Sequence, residues 1–291
     1  MADYLDRILK TKEDEVRLAK SQVPLEEIKR WVCDAPPALD FAAAMTHPQG
    51  ELRVIAEIKK ASPSAGVIRS DFDPVVIAKA YEENGAAAIS CLTDATYFQG
   101  SLDYLRMVKK AVSIPVLRKD FIIDEYQIFE ARAAGADAVL LIAECLGSKL
   151  AELREIARSL RMTTLIEVRS ADSLRRVLPM LGLPSHPTLT LLGINNRDLK
   201  TMKTNVRHTL QLLGWCESAD IVVSESGINN PKDVARLRDA NVHRILIGEH
   251  LMRQQNVGLA LRQLISESES QYNQRSTTKA FRSTPHSTLK A

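Results

Sequence analysis

Aromatic residues make up only 5% of this chain, and no run of 18 uninterrupted apolar residues occurs in it. The second absence excludes a membrane-spanning helix. The first, set beside an abundance of Ala, Leu, Ile and Val, favours helices packed on buried parallel strands over a β-sandwich. Cysteine is sparse as well. Cys33, Cys91, Cys145 and Cys216 are widely spaced, with no CxxC pair, so buried free thiols in a reducing compartment are expected rather than a disulfide framework. The opening residues MADYLDRILKTKEDEVRLAK carry acidic groups among the first six and no apolar core of signal-peptide type, which points to the cytoplasm. A formal net charge of +3 is too small to argue for a nucleic-acid partner. No GxGxxG follows the first strand-like run and no GxxxxGK[ST] occurs, which weakens the case for a doubly wound open sheet.

What is present is alternation. Of 291 residues, 45% are hydrophobic and 26% charged, ordinary values for a globular protein, and eight short apolar runs recur: 53–59, 86–93, 114–120, 136–143, 163–168, 189–195, 220–226 and 243–249. Helical patterns lie between them, among them 73–85, 124–135, 148–160 and 230–240. Asp73-Pro74 and Asn230-Pro231 each read as an N-cap followed by proline in the first turn, and Gly85 and Gly135 as helix stops. Eight strands, each followed by a helix, predict a single closed (β/α)8 TIM barrel of the α/β class. The barrel spans residues 51–265. Residues 1–50 are too few for a domain of their own. Leu5, Ile8, Leu9 and Val16 fall at helical spacing there, predicting an extra helix on the barrel that either covers one end or helps close the active site. Residues 266–291 are rich in Ser and Thr without apolar periodicity and are expected to be a disordered tail.

Barrel enzymes keep their chemistry at the C-terminal ends of the strands, so polar residues placed there carry the functional signal. The first strand ends in Glu57 and Lys59, two apart and hence on one face, followed by Ser62-Pro63-Ser64-Ala65-Gly66, a loop with hydroxyls and amides suited to an anion. The third ends in Arg118-Lys119-Asp120, three charges whose burial is costly unless they reach water or a ligand. The fifth ends in Glu167, a lone carboxylate among apolar residues whose pKa should be raised, as a general base needs, unless Lys119 offsets its desolvation. The sixth ends in Asn195-Asn196-Arg197-Asp198-Leu199 and the seventh in Glu225-Ser226-Gly227. The eighth ends in Gly248-Glu249. Glycine turns that lead into helices after strands seven and eight suit a phosphate. Together these features predict a phosphate-binding barrel with a Lys–Glu acid–base site.

The segments AEIKKASPSAGVI, CLTDATYFQGSLDYL, LRKDFI, GADAVLLI, LIEV, GINNRDL, VSESGI and ILIGEHLM resemble indole-3-glycerol-phosphate synthase in order and approximate spacing, over roughly residues 3–265. EIKKASPS together with LRKDF and GINNRDL is highly specific. The resemblance implies a carboxy-lyase of tryptophan biosynthesis. Such an enzyme converts 1-(2-carboxyphenylamino)-1-deoxy-D-ribulose 5-phosphate into indole-3-glycerol phosphate, without metal or organic cofactor. It implies Lys119 as general acid of ring closure, Glu167 as general base, and Lys59 as holder of the substrate carboxylate with a share in dehydration. How the two lysines divide the acid steps stays open. Glu57, Asn195 and Glu225 match supporting residues. Ser62, Ser64, Ser226, Gly227, Gly248 and Glu249 match the phosphate-binding side, and Arg197 and Leu199 the aromatic end of the pocket. Some family members carry a small Ser where this chain has Glu249. Its backbone N–H is therefore expected to bind phosphate while its carboxylate points away. The implied partner is a small phosphorylated substrate, with neither nucleic acid nor membrane, and with room for transient association with other enzymes of the pathway. Two other readings are a different phosphate-binding barrel, such as phosphoribosylanthranilate isomerase, and a non-catalytic barrel. An isomerase has no evident need of the Glu57/Lys59 pair and the SPS loop, and a non-catalytic barrel would be marked by loss of Lys119 or Glu167.

Overall fold

Eight parallel strands close into a barrel in the order of the chain, the first pairing with the eighth. They are β1 (Arg53–Ile58), β2 (Ala88–Leu92), β3 (Val116–Lys119) and β4 (Ala138–Ile142), then β5 (Thr163–Val168), β6 (Thr190–Asn195), β7 (Val222–Glu225) and β8 (Arg244–Ile247). The computed structural model describes residues 4–47, 50–181, 190–198 and 203–283, with the backbone alone for 275–283. All eight predicted runs contain strands; 163–168 is a strand throughout, and the others are shorter by one to three residues.

Alternation along the strands divides the interior in two. Val54, Ala56 and Ile58 of β1 face the surrounding helices, whereas Ile55 joins Ala88, Leu117, Leu165, Leu191, Val223 and Leu246 in a core inside the barrel. The helices start where their caps predict. Asp73 accepts from the Val75 and Val76 amides ahead of Pro74–Glu83, and Asn230 accepts from Asp233 ahead of Pro231–Arg238. Gly85 and Gly135 lie at φ 96° and 97°, where a side chain would be strained.

The N-terminal segment serves both ends of the barrel. Helices α1 (Tyr4–Gln22), α2 (Leu25–Asp34) and α3 (Phe41–Ala44) precede β1. Phe41 and Met45 plug the inner core from below, where the Arg53 and Arg244 Nε atoms donate to the Thr46 and Met45 carbonyls at 2.8 and 2.7 Å. Tyr4, Leu5 and Ile8 of α1 line the opposite mouth. One face of α1 is buried at Ile8, Lys12 and Val16. The lysine sits on an otherwise apolar stripe because Asp94 and Asp120 lie beneath it, at 2.8 and 2.9 Å from its Nζ.

The last helix runs Val257–Ser283 and so takes in the first part of the stretch 266–291 expected to be a tail, while 284–291 lie outside the described residues. Packing carries the helix past the end of its apolar pattern. Ser268 is fully buried, and the Arg238 guanidinium lies 4.0 Å from the centre of the Tyr272 ring. All four cysteines are free, but only Cys91 is buried; Cys33 is exposed on α2, and Cys145 and Cys216 are half-buried.

Candidate active site

The inward-facing side chains change character at the top of the barrel, because strand ends meet the solvent-filled mouth there. A cavity of about 530 Å³ opens at this end. Glu57, Lys59, Ser62, Ser64, Lys119, Glu167, Asn195, Arg197, Glu225, Ser226, Gly227, Gly248 and Glu249 all line it; Leu199 lies outside the described residues.

At the centre Lys119 from β3 bridges two carboxylates, Glu167 Oε2 of β5 at 3.1 Å and Glu225 Oε2 of β7 at 3.2 Å. Lys59, just past β1, binds Glu57 Oε1 at 2.6 Å. Asn195 of β6 hydrogen-bonds Glu167, and its Oδ1 accepts from the Arg197 amide at 3.0 Å. Two glycines make room for this cluster. A Cβ on Gly248 would come within 2.5 Å of Glu57 Oε1, and Gly193 is similarly close to Glu225.

The charges set one another. Burial would lower the Lys119 pKa, but Glu167, Glu225 and Glu57 outweigh it and hold the ammonium protonated. Burial would raise Glu167, but Arg169 and then Lys119 outweigh it and push its pKa down. The desolvation of Glu167 is thus offset by Lys119, as the sequence left open, and by Arg169 as well; the carboxyl that is raised is Glu225, through burial and the repulsion of Glu167, against the pull of Lys119.

On the rim, Ser62 and Ser64 belong to a short hairpin, Ala61–Ser62 pairing Gly66–Val67. Ser226 takes a left-handed φ of 66° and Gly227 follows at 72°, turning the chain into the loop after β7. Gly248 precedes the short helix Glu249–Met252, whose first amides have no intrahelical acceptor. The Glu249 carboxylate pairs with Arg253 at 2.9 Å and Arg197 at 3.5 Å.

This arrangement can supply a proton, accept one, and hold anions at two ends of one cavity. The family model described as indole-3-glycerol phosphate synthase matches residues 5–264. The chain belongs to that family. The indole-3-glycerol phosphate synthase of Rhodopirellula baltica is 47% identical over 263 residues, covering 90% of this chain and 98% of the relative. That of Leptothrix cholodnii is 46% identical over 269 residues, covering 91% and 100%. Among solved structures, the thiamine phosphate pyrophosphorylase of Pyrococcus furiosus matches at a TM-score of 0.55 and 16% identity, covering 75% of this chain and 96% of that one. It shares the fold alone. Family membership settles the rival readings of an isomerase or a non-catalytic barrel in favour of a carboxy-lyase.

Two charged residues escaped the sequence reading. Arg169 stands two residues beyond Glu167, the same spacing as Glu57 and Lys59, so alternation could have found it. Its Nη2 lies 2.6 Å from Glu167 Oε1. Lys12 could have been found on the stripe Ile8, Lys12, Val16, where a lone charge at helical spacing needs a buried partner.

Proposed function

We propose that Lys119, Glu167 and Lys59 divide the acid–base work of ring closure among them, and that the rim of β7 and β8 holds the phosphate. The reaction is the conversion of 1-(2-carboxyphenylamino)-1-deoxy-D-ribulose 5-phosphate to indole-3-glycerol phosphate in tryptophan biosynthesis, with loss of CO2 and water. The ring carbon bearing the carboxylate attacks the ribulose ketone, and the ketone oxygen takes a proton to become a hydroxyl. Lys119 supplies it. Decarboxylation returns the C–C electron pair to the ring. The hydroxyl then leaves as water, protonated by Lys59 or Lys119, while Glu167 removes the proton that completes the double bond.

The observation that carries this reading is the convergence of Lys119, Glu167 and Lys59 from the ends of three strands on one cavity. Lys59, held by Glu57, is placed to meet the substrate carboxylate. The Ser226–Gly227 and Gly248–Glu249 backbones with Ser62 and Ser64 take the phosphate, and Arg197 and Leu199 the aromatic end. Glu57, Asn195 and Glu225 keep the lysines and the base aligned. A cytoplasmic location and transient association with other enzymes of the pathway belong to the same proposal. No helix among the described residues is long and apolar enough to cross a membrane.

Indole fluorescence reports product directly. Purified protein should turn over without added nucleotide, and Lys119→Ala should lose roughly a hundredfold or more in kcat. Glu167→Gln should bind substrate but form little product. Unimpaired turnover by either variant removes the role assigned to that residue.

A further inference from the structure

The motifs that identify the family end one residue short of Arg169, yet this arginine makes one of the shortest contacts in the cavity. Glu167 is held by two cations, one on each oxygen: Lys119 Nζ at 3.1 Å from Oε2, and Arg169 Nη2 at 2.6 Å from Oε1. The Arg169 side chain is only 14% exposed. Its Nε and Nη1 are buried with no hydrogen-bond partner among the described residues. Nor is its backbone loose. The Arg169 amide donates to Glu144 Oε1 at 2.7 Å, and its carbonyl lies 3.0 Å from His208 Nε2. A guanidinium buried this deeply, with two of its nitrogens unpartnered, is held in place by the carboxylate it serves.

We infer that Arg169 is a positioning residue for the base, clamping the second oxygen of Glu167 and setting its strength; this rests on the assignment of Glu167 as base. The charged groups that face Glu167 are Lys119 from β3, Glu225 from β7 and Arg169 just past the end of its own strand, with Glu57 from β1 beyond Lys119. Asn195 faces it from β6 without charge, and Glu144 and Cys145 from the short helix Ala143–Leu146 that follows β4 face Arg169. Among these Arg169 exerts the largest single Coulombic pull on Glu167, and Lys119 adds a hydrogen bond to its own. A clamp of this kind has two consequences. It keeps Glu167 unprotonated in the resting enzyme. It also opposes retention of the proton that Glu167 takes up during dehydration, so the base returns to its ionised form before the next substrate binds.

The test is the pH profile of kcat for Arg169→Met and Arg169→Lys, with far-UV circular dichroism confirming the fold. Removing an opposite charge at this distance should move the acid limb of Arg169→Met to higher pH by roughly one to three units. Arg169→Lys should restore most of the wild-type profile. A limb that stays put in Arg169→Met, or that moves equally far in Arg169→Lys, overturns the inference. Should Arg169→Met fail to fold, Arg169→Gln carries the same expectation. Independently, the Glu167 carboxyl resonance of 13C-labelled wild type should titrate below the usual carboxylate range, and titration within that range overturns the clamp. Glu167→Gln keeps the two ideas apart. If it turns over normally, the base assignment fails; if it is inactive while the Arg169 profiles match wild type, only the clamp fails.

Discussion

Gly193 of β6 lies directly beneath the Glu225 carboxylate of β7: a Cβ at position 193 would stand 2.1 Å from Glu225 Oε1. Real atoms do not approach so closely, so the absence of a side chain in one strand fixes where the carboxylate of the next can sit. Glu225 in turn holds Lys119. The position of the proton donor is thus set partly by a residue that has no chemistry of its own.

Gly193→Ala should fold, because the obstructing atom is the end of a side chain rather than backbone. The carboxylate must swing aside and Lys119 must follow it. A displacement of about 1 Å in a catalytic group can cost roughly a hundredfold in rate. Steady-state kinetics beside a thermal melt check this, with kcat expected to fall by about ten- to a hundredfold and Tm nearly unchanged.

The raised Glu225 carboxyl predicts a pH-dependent stability. A group whose folded pKa lies above its unfolded value stabilises the protein at low pH, and that contribution is lost as pH rises through the folded value. Wild type should therefore lose stability relative to Glu225→Gln between about pH 5 and pH 8. Urea unfolding at several pH values measures the difference. Parallel curves for the two proteins would refute the shift.

Lys12→Met should be costly in stability. It leaves Asp94 and Asp120 buried without the cation that lies 2.8 and 2.9 Å away, and breaking such a pair typically costs about 3–5 kcal/mol. Acid should expose the loss. Burial would raise Asp120, but Arg118 and Lys12 outweigh it and bring its pKa to about 2, so its contribution is present above the ordinary carboxylate range and disappears as pH falls toward that value. Without Lys12 the contribution shrinks, and the acid-unfolding midpoint should move to higher pH. Lys12→Arg should recover part of it.

Glu249→Ser should lower KM for the phosphorylated substrate. The carboxylate occupies Arg197 and Arg253 at the rim and repels a phosphate dianion. Half-exposed ion pairs are worth about 0.2–1 kcal/mol, so a change of roughly two- to fivefold is expected with kcat unaffected. An unchanged or higher KM would show that Glu249 assists binding instead.

Much of this was legible from the chain alone. Eight apolar runs separated by capped helices specify the barrel, because parallel strands buried on both faces must be apolar and their crossovers must be helical. The period-2 alternation of a strand puts Glu57 and Lys59 on one face, and the ends of the apolar runs put Lys119, Glu167 and Glu225 at the mouth. The tail was less legible. Composition suggested disorder from Ser266, whereas Arg238, from the helix after β7, contacts the last helix at Ser268 and Tyr272.

The sequence by itself determined the order of the strands and which polar side chains stand at their ends, since both follow from local periodicity. Only the tertiary structure decided in which direction each carboxyl is shifted. Glu167 and Glu225 read alike in sequence, each a lone acid at a strand end. One is pushed down because Arg169 and Lys119 both reach it, and the other is pushed up because it is buried beside a carboxylate already charged. Coulomb energy and desolvation depend on distances through space, and those distances exist only once the barrel has closed.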